Sequence, residues 1–549
     1  MEIRKAMAVS GGIAAGRLFY YRRKRQTADR SEPADVSLEL LRFQNAREYA
    51  IKELQDLYEQ AEKKTGADSA AIFAAHQMLL EDEEYGNFVT GRIEGERMNA
   101  EFAAASAGEY FEKQFSELQD EYMRARAADV RDVTDRLLRA LAREQKERAG
   151  EPAVSDLLKE PVILAAEELL PSDTVQFDRS KLLGLVTAQG SVNCHMAILA
   201  RSMSLPALTA VSVPEDWEGR YVILDGEDGT LYVDPDPETE AFLQKKREDL
   251  ERRQQELLSL IGQEDITADG RRIRLYANVG NGQDIEDAIR CRAAGVGLFR
   301  SEFLYLGRED FPGEEEQFSA YRDAALRMQG KEVIIRTLDI GADKQAAYFG
   351  LGEEANPALG YRAVRICLTR TDIFKTQLRA IYRASAYGTV SIMFPMIASC
   401  WEVQEAKRIA AMVQEELRAE GIPTGKVSLG IMIETPAAAV MSDVLAKEVD
   451  FFSIGTNDLL QYTLAVDRQN ERLEPFYDPR HPAVLRLIEM TVRNAHAAGC
   501  TVGICGEMGA DPQLTETFLK MGVDELSVSP SSLLKIRKKI RETDLSGKE

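Results

Sequence analysis

The run Gln189-Gly190-Ser191-Val192-Asn193-Cys194-His195 is small, polar and flexible, and an apolar helical pattern, Met196 to Arg201, begins directly after its histidine. That spacing puts His195 at or near a helix N-terminus, where free backbone N–H groups and the helix dipole favour an anion. The same positive end keeps an imidazole neutral and nucleophilic near neutral pH, which suits it to carry a phosphoryl group. A capping or packing histidine is the competing reading, and the loop alone does not choose between them.

The second half of the chain holds a larger set of reactive side chains. Arg300, Arg336, Arg362 and Arg468 present planar guanidinium forks, and several of them converging would bind a multiply anionic ligand. Taken singly, each reads more readily as a surface ion-pair partner. Glu434 and Asp458 can share Mg²⁺, a hard ion that takes oxygen ligands and shares itself with substrate phosphates. Ordinary loop carboxylates are the alternative, against which stands the glycine-led setting Gly455-Thr456-Asn457-Asp458. Cys505 lies in Gly503-Ile504-Cys505-Gly506-Glu507-Met508-Gly509. A free cysteine is by default a small buried hydrophobe, but these glycines favour an exposed thiol. With an ordinary pKa of ~8.5 it would be mostly protonated at pH 7 and able to act as an acid.

Eight short apolar runs position these residues: 274–279, 296–299, 333–338, 390–394, 429–433, 451–454, 502–505 and 525–528. Helical patterns separate most of them, as in a (β/α)₈ barrel of typically ~250 residues. Asn278, Arg300, Asp339, Met396, Glu434, Asn457, Asp458, Cys505, Glu507 and Ser529 fall at or just past the run ends, where such a barrel builds its active site. Glu434 and Asp458 then end adjacent strands, the fifth and sixth.

The first half reads differently. Residues 1–20 form a short strand and turn, and 36–145 are almost wholly helical. Four helices are expected there: one striped by Phe43, Ala46, Ala50, Leu54, Leu57 and Ala61, and one led by Asp68 and Ser69. A third runs near Phe102–Phe115, and a fourth carries Val130, Val133, Leu137 and Leu141. Strand patterns at 161–166, 182–187, 221–226 and 229–233 surround the His195 loop, giving an α/β unit with the bundle inserted after its first strand. The charged, helix-prone stretch from Pro237 to about Gly262 reads as a helical linker.

The 69 basic and 91 acidic residues sum to −22, which argues against nucleic acid or an anionic membrane as the main partner. No apolar run approaches the ~18 residues of a membrane span. Six cysteines without a paired framework fit a reduced, cytoplasmic compartment. The glycine-rich N-terminus, with its basic cluster on the wrong side, is not a signal peptide. Neither GxxxxGK[ST] nor GxGxxG occurs, so a histidine acceptor and an anion-binding barrel point to a small phosphorylated donor rather than a nucleotide.

The segments GVGLFRSEFLY, IIRTLDIGADK, NPALGYRAVR, IMFPM, GIMIETPAAA, FFSIGTNDLLQYTLAVDRQN, HPAVLRLI and VGICGEMG resemble the Enzyme I family of the bacterial phosphoenolpyruvate-dependent sugar phosphotransferase system. GGIAAG, IFAAHQMLLEDEE, LLPSDT and ILDGEDGTLYVDP extend the resemblance over nearly the whole chain. It implies an α/β multidomain protein. A phosphohistidine α/β domain (1–20 plus 146–236) would carry an inserted helical bundle (21–145), followed by a helical linker (237–262) and a TIM barrel (263–549). By the same resemblance His195 is the phosphohistidine, and Thr174 orients its ring. Arg300, Arg336, Arg362, Asn457, Asp458 and Arg468 bind phosphoenolpyruvate, Glu434 and Asp458 hold Mg²⁺, and Cys505 protonates enolpyruvate to pyruvate. The bundle docks the phosphocarrier HPr, with His76 structural or docking, and the barrel forms a homodimer. The family usually reads Gly-Gly-x-Thr-Ser-His where this chain has Gly190-Ser191-Val192-Asn193-Cys194-His195. A non-catalytic paralogue acting as regulator or scaffold is the alternative which that departure raises.

Overall fold

The computed structural model describes residues 1–547 apart from 23–27, 66, 117–120, 147–157, 159, 170–176, 191–193, 204, 307, 309, 342–346, 353 and 469. Thr174, Ser191, Val192 and Asn193 therefore lie outside the described residues, as does the side chain of His195. The chain divides into two compact units, Met1–Arg253 and Gln254–Glu549.

The first unit holds one sheet of eight strands: β1 (Glu2–Lys5), β2 (Met7–Ser10), β3 (Ile13–Tyr21), β4 (Val162–Ala166), β5 (Leu182–Thr187), β6 (Ala207–Thr209), β7 (Tyr221–Asp225) and β8 (Thr230–Val233). Their order is β1-β8-β7-β3-β4-β5-β6-β2. The centre, β3 to β6, is parallel, and antiparallel pairs flank it. Burial on both faces explains the unbroken apolar run of β4. Val162, Leu164 and Ala166 enter one core with the His195 helix, while Ile163 and Ala165 enter the other with Trp217 and Leu224.

Three expectations need correction here. The first twenty residues form parts of three strands rather than one, so the bundle follows β3 and not the first strand. Gly11-Gly12 separates β2 from β3, and Gly12 sits at φ 106°, a turn that closely spaced glycines and alanines disguised. The bundle has five helices among the described residues, not four: Val36–Thr65, Ala67–Glu81, Glu83–Glu96, Ala100–Ser116 and Glu121–Lys146. The unforeseen one, Glu83–Glu96, is capped by Asp82, whose side chain accepts from the Tyr85 N–H. It buries Tyr85, Val89 and Ile93 at four-residue steps, but three glycines in fourteen residues masked that stripe. Asp68 and Ser69 lie inside the second helix rather than ahead of it.

The charged stretch is a continuous helix, Pro237–Leu258. Its Leu243 packs on Ile13 and Ile223. Lys246 Nζ lies 2.6 Å from both Asp225 Oδ2 and Asp228 Oδ2, so the helix is fastened to the β7–β8 hairpin.

In the second unit β9 (Arg274–Val279), β10 (Val296–Arg300), β11 (Val333–Arg336), β12 (Val390–Phe394), β13 (Ser428–Ile433), β14 (Phe451–Ile454), β15 (Thr501–Ile504) and β16 (Glu525–Val528) close into a parallel barrel. Tyr276, Leu298, Ile334, Met393, Met432 and Phe451 fill its interior beneath Cys505. Helices surround it and bury the outward faces of the strands. Arg537, wholly buried, donates to the carbonyls of Leu260, Cys291 and Arg292 and, through Nε, to Asp265 at 2.7 Å. It ties the last helix, Leu533–Glu542, to the start of the barrel unit.

Candidate active site

A parallel barrel directs the ends of all its strands to one face, so residues far apart in sequence meet there. Arg300 and Arg336 are the last residues of β10 and β11, Glu434 follows β13, and Cys505 follows β15. Asn457 and Asp458 lie in the first turn of the helix Thr456–Leu464 after β14. These six, with Arg362 and Arg468, line a single cavity of about 420 Å³. Glu302, Asp339 and Glu507 add three further carboxylates to its wall.

Two of the four arginines, Arg336 and Arg362, are held rather than loose. Arg336 Nη2 donates to Glu302 Oε1 at 2.7 Å, and its Nη1 lies 2.8 Å from Asp339 Oδ2. Arg362 Nη2 donates to Asp339 Oδ1 at 2.9 Å, and its Nη1 to the Tyr462 hydroxyl at 3.3 Å. Burial alone would lower both guanidinium pKa values, but these carboxylates outweigh it and raise them, so both stay charged. A polar network behind them fixes the backbone. The Gln377 side chain accepts from the Leu338 N–H and donates to Ser301 Oγ, which donates to the Arg336 carbonyl.

Glu434 is fully buried. Its Oε1 accepts the Met396 N–H at 2.5 Å, a contact made possible by Met396 at φ 56°, while Oε2 has no hydrogen-bond partner among the described residues. Burial, then the neighbouring Asp458 and Asp339, push its pKa up. A Cβ on Gly455 would stand 2.8 Å from that orphaned Oε2, so glycine there keeps the space beside the carboxylate open. Asn457 links two loops: its Nδ2 donates to Glu507 Oε1 at 3.1 Å, and its Oδ1 accepts the Glu507 N–H at 2.9 Å.

Cys505 departs from expectation. It is 2% exposed rather than an open thiol, although it lines the cavity. Its Sγ lies 3.6 Å from the Ile454 carbonyl, and burial pushes its pKa up to about 11. The glycines around it admit close packing rather than exposure: a Cβ on Gly506 would run into Thr456. The thiol is therefore more firmly protonated than an exposed one.

In the other unit His195 is the first residue of the helix His195–Ser202, with Cys194 as N-cap making no side-chain cap bond. Met196, Ala197 and Ala200 bury the helix against the sheet. Gly190 takes φ 137°, and a Cβ there would meet Thr209 Oγ1 at 2.7 Å, so this first loop glycine is required where it stands. His76 is buried in the bundle, with Nε2 3.3 Å from Asp129 Oδ1 and Nδ1 3.9 Å from Asp132 Oδ2, and bridges two helices.

Sequence reasoning placed Asp339 at a strand end without a role and missed Glu302 and Gln377. Glu302 sits two residues past the end of β10 and was within reach of a strand-end search. Gln377 lies inside the helix Thr371–Ala384, where nothing in the chain marks it.

Three domains of phosphoenolpyruvate-utilising enzymes match this chain: the N-terminal domain over residues 5–126, the mobile domain over 158–229 and the PEP-binding domain over 254–545. The phosphoenolpyruvate-protein phosphotransferase of Priestia megaterium is 43% identical over 541 residues, covering 98% of this chain and 93% of that protein. The chain belongs to the phosphoenolpyruvate-protein phosphotransferase family. The Bacillus subtilis (strain 168) member is 41% identical over 98% of this chain and 94% of its own length. An NMR solution structure of Enzyme I shares 33% identity over 45% of this chain and 99% of that one, with a TM-score of 0.38. Among the described residues no helix is long and apolar enough to cross a membrane.

Proposed function

We propose that this member of the family transfers the phosphoryl group of phosphoenolpyruvate to His195, releases pyruvate, and passes the group on to a histidine of HPr to drive sugar uptake. The observation that carries the reading is the cavity itself: four arginines, Asn457, two paired carboxylates and one protonated thiol converge on about 420 Å³. Phosphoenolpyruvate is a small anion bearing a phosphoryl and a carboxylate group, and guanidinium forks match both. Arg300, Arg336, Arg362 and Arg468 bind and orient it, with Asn457 and Asp458 completing the contact. Glu434 and Asp458 would hold Mg²⁺, and the unpartnered, buried Glu434 Oε2 fits the oxygen donor such a cation takes. The ion, when bound, neutralises charge on the phosphoryl oxygens.

An imidazole nitrogen of His195 forms the new P–N bond as the P–O bond to the enol oxygen breaks. The electron pair stays on the enolate, whose methylene carbon takes the proton of Cys505 Sγ–H to give pyruvate. The thiolate left behind regains its proton from water. Thr174 orients the His195 ring. The α/β domain (1–20 plus 146–236) carries His195, the bundle (21–145) docks HPr, residues 237–262 link it to the barrel (263–549), the barrel dimerises, and the protein works in the cytoplasm. The changed residues Ser191, Asn193 and Cys194 set the rate of transfer, not its existence. Incubation with Mg²⁺ and phosphoenolpyruvate carrying labelled phosphorus should give acid-labile label on His195, chased off by HPr. No label on a protein that still binds phosphoenolpyruvate would establish the scaffold reading instead.

A further inference from the structure

Asp339 touches both arginines that stand side by side in the cavity wall, one on each carboxylate oxygen, at 2.8 and 2.9 Å. All three residues are buried, and each guanidinium retains a buried Nε–H with no hydrogen-bond partner among the described residues. Asp339 fixes the angle between the two forks, Glu302 and the Tyr462 hydroxyl take one further N–H of Arg336 and of Arg362, and the N–H groups that face the cavity are left for a ligand. A second, independent feature sets the backbone beside Arg362. Ala363, directly after Arg362, sits at φ 53° and ψ −127°, a conformation suited to glycine, and is fully buried. Its N–H donates to the Ile340 carbonyl at 3.0 Å, next to Asp339. A non-glycine residue holds such a backbone only where the surroundings over-determine it.

We infer that Asp339 and the backbone at Ala363 are positioning elements that hold Arg336 and Arg362 as one preformed two-armed receptor for the phosphoenolpyruvate anion. The inference rests on the cavity being the phosphoenolpyruvate site. Asp339 does not touch the reacting atoms. Its work is to make the ordering cost of two long side chains part of folding rather than of binding.

The test uses the full-length protein, with KM and kcat from pyruvate release, phosphoenolpyruvate affinity from calorimetry, and Tm. Asp339→Asn keeps the shape and removes the charge that both guanidiniums share. It should raise KM and weaken direct binding about tenfold or more while kcat changes less than threefold. Ala363→Gly relaxes the backbone, so Tm should hold or rise while KM rises severalfold, a combination that a purely structural role would not give. KM within twofold of wild type in both variants would overturn the inference. So would tighter binding in Asp339→Asn, which would make Asp339 a competing counter-ion, or a lower Tm with unchanged KM in Ala363→Gly. If the wild type binds phosphoenolpyruvate and Asp339→Asn weakens it, yet His195 takes no label, the positioning role stands and the proposed reaction falls.

Discussion

Glu525 offers a prediction that the barrel interior makes quantitative. It opens β16 in register with Gly503 of β15, and its side chain points inward: a Cβ on Gly503 would lie 3.1 Å from its Oε1, and one on Gly297 2.5 Å. The residue is 5% exposed. Burial, opposed by Arg274 and reinforced by Glu332 and Asp524, pushes its pKa from 4.5 up to about 8. The folded protein therefore keeps a proton on Glu525 that the unfolded chain releases. Its stabilising effect is full below the unfolded pKa near 4.5 and is lost as pH rises to about 8. The slope is about 1.4 kcal/mol per pH unit, and the total loss is roughly 4–5 kcal/mol. Glu525→Gln mimics the protonated form and has no such slope. Calorimetry of the barrel transition from pH 5 to pH 9 should show wild type and variant together at the acid end. They should separate by about 3 °C per pH unit, the variant the more stable, with the gap levelling above about pH 8. A gap independent of pH would refute the reasoning. A variant that becomes the less stable one at high pH would mean that the carboxylate is ionised and paired with Arg274.

Four further outcomes follow from the structure. Cys505→Ala should cut pyruvate release by about 10²-fold or more with phosphoenolpyruvate binding intact, read in a coupled pyruvate assay. Because burial raises this thiol to about 11, wild-type activity should show no basic limb from Cys505 below pH 9. Arg537→Ala strips Asp265 of its buried partner and three carbonyls of their donor, and should cost about 3–5 kcal/mol in denaturant unfolding of the barrel unit. Asp82→Ala removes the cap on Glu83–Glu96 and should destabilise the bundle by ~1 kcal/mol, measured as a lower Tm of the N-terminal unit.

Barrel strands were legible because they are buried largely on both faces and so read as short, mostly apolar runs, several of which stop at a reactive residue. Observed and expected limits differ by at most two residues, as at Val333–Arg336 against 333–338. Arg300, Glu434 and Cys505 announced themselves by that position; Arg336, inside the expected run 333–338, stood out only as an arginine, and the structure ends its strand there. The helix Glu83–Glu96 stayed hidden because glycine supplies no apolar stripe, and β2 because Met7–Ser10 merges with the glycines and alanines of 11–16.

What the sequence determined by itself was the list of chemical groups and their order along the chain: a histidine at a helix start, then strand ends bearing arginines, carboxylates and a thiol. Local pattern suffices for that, since each element is built from neighbours in sequence. Tertiary structure alone decided how those groups bear on one another. Asp339 bridges Arg336 and Arg362, Glu302 takes the other arm of Arg336, and Gln377 braces both strand ends. It also turned Cys505 from an exposed thiol into a buried, proton-holding one. These are effects of desolvation and of charges tens of residues apart brought within 3 Å, and closing the barrel is what creates them.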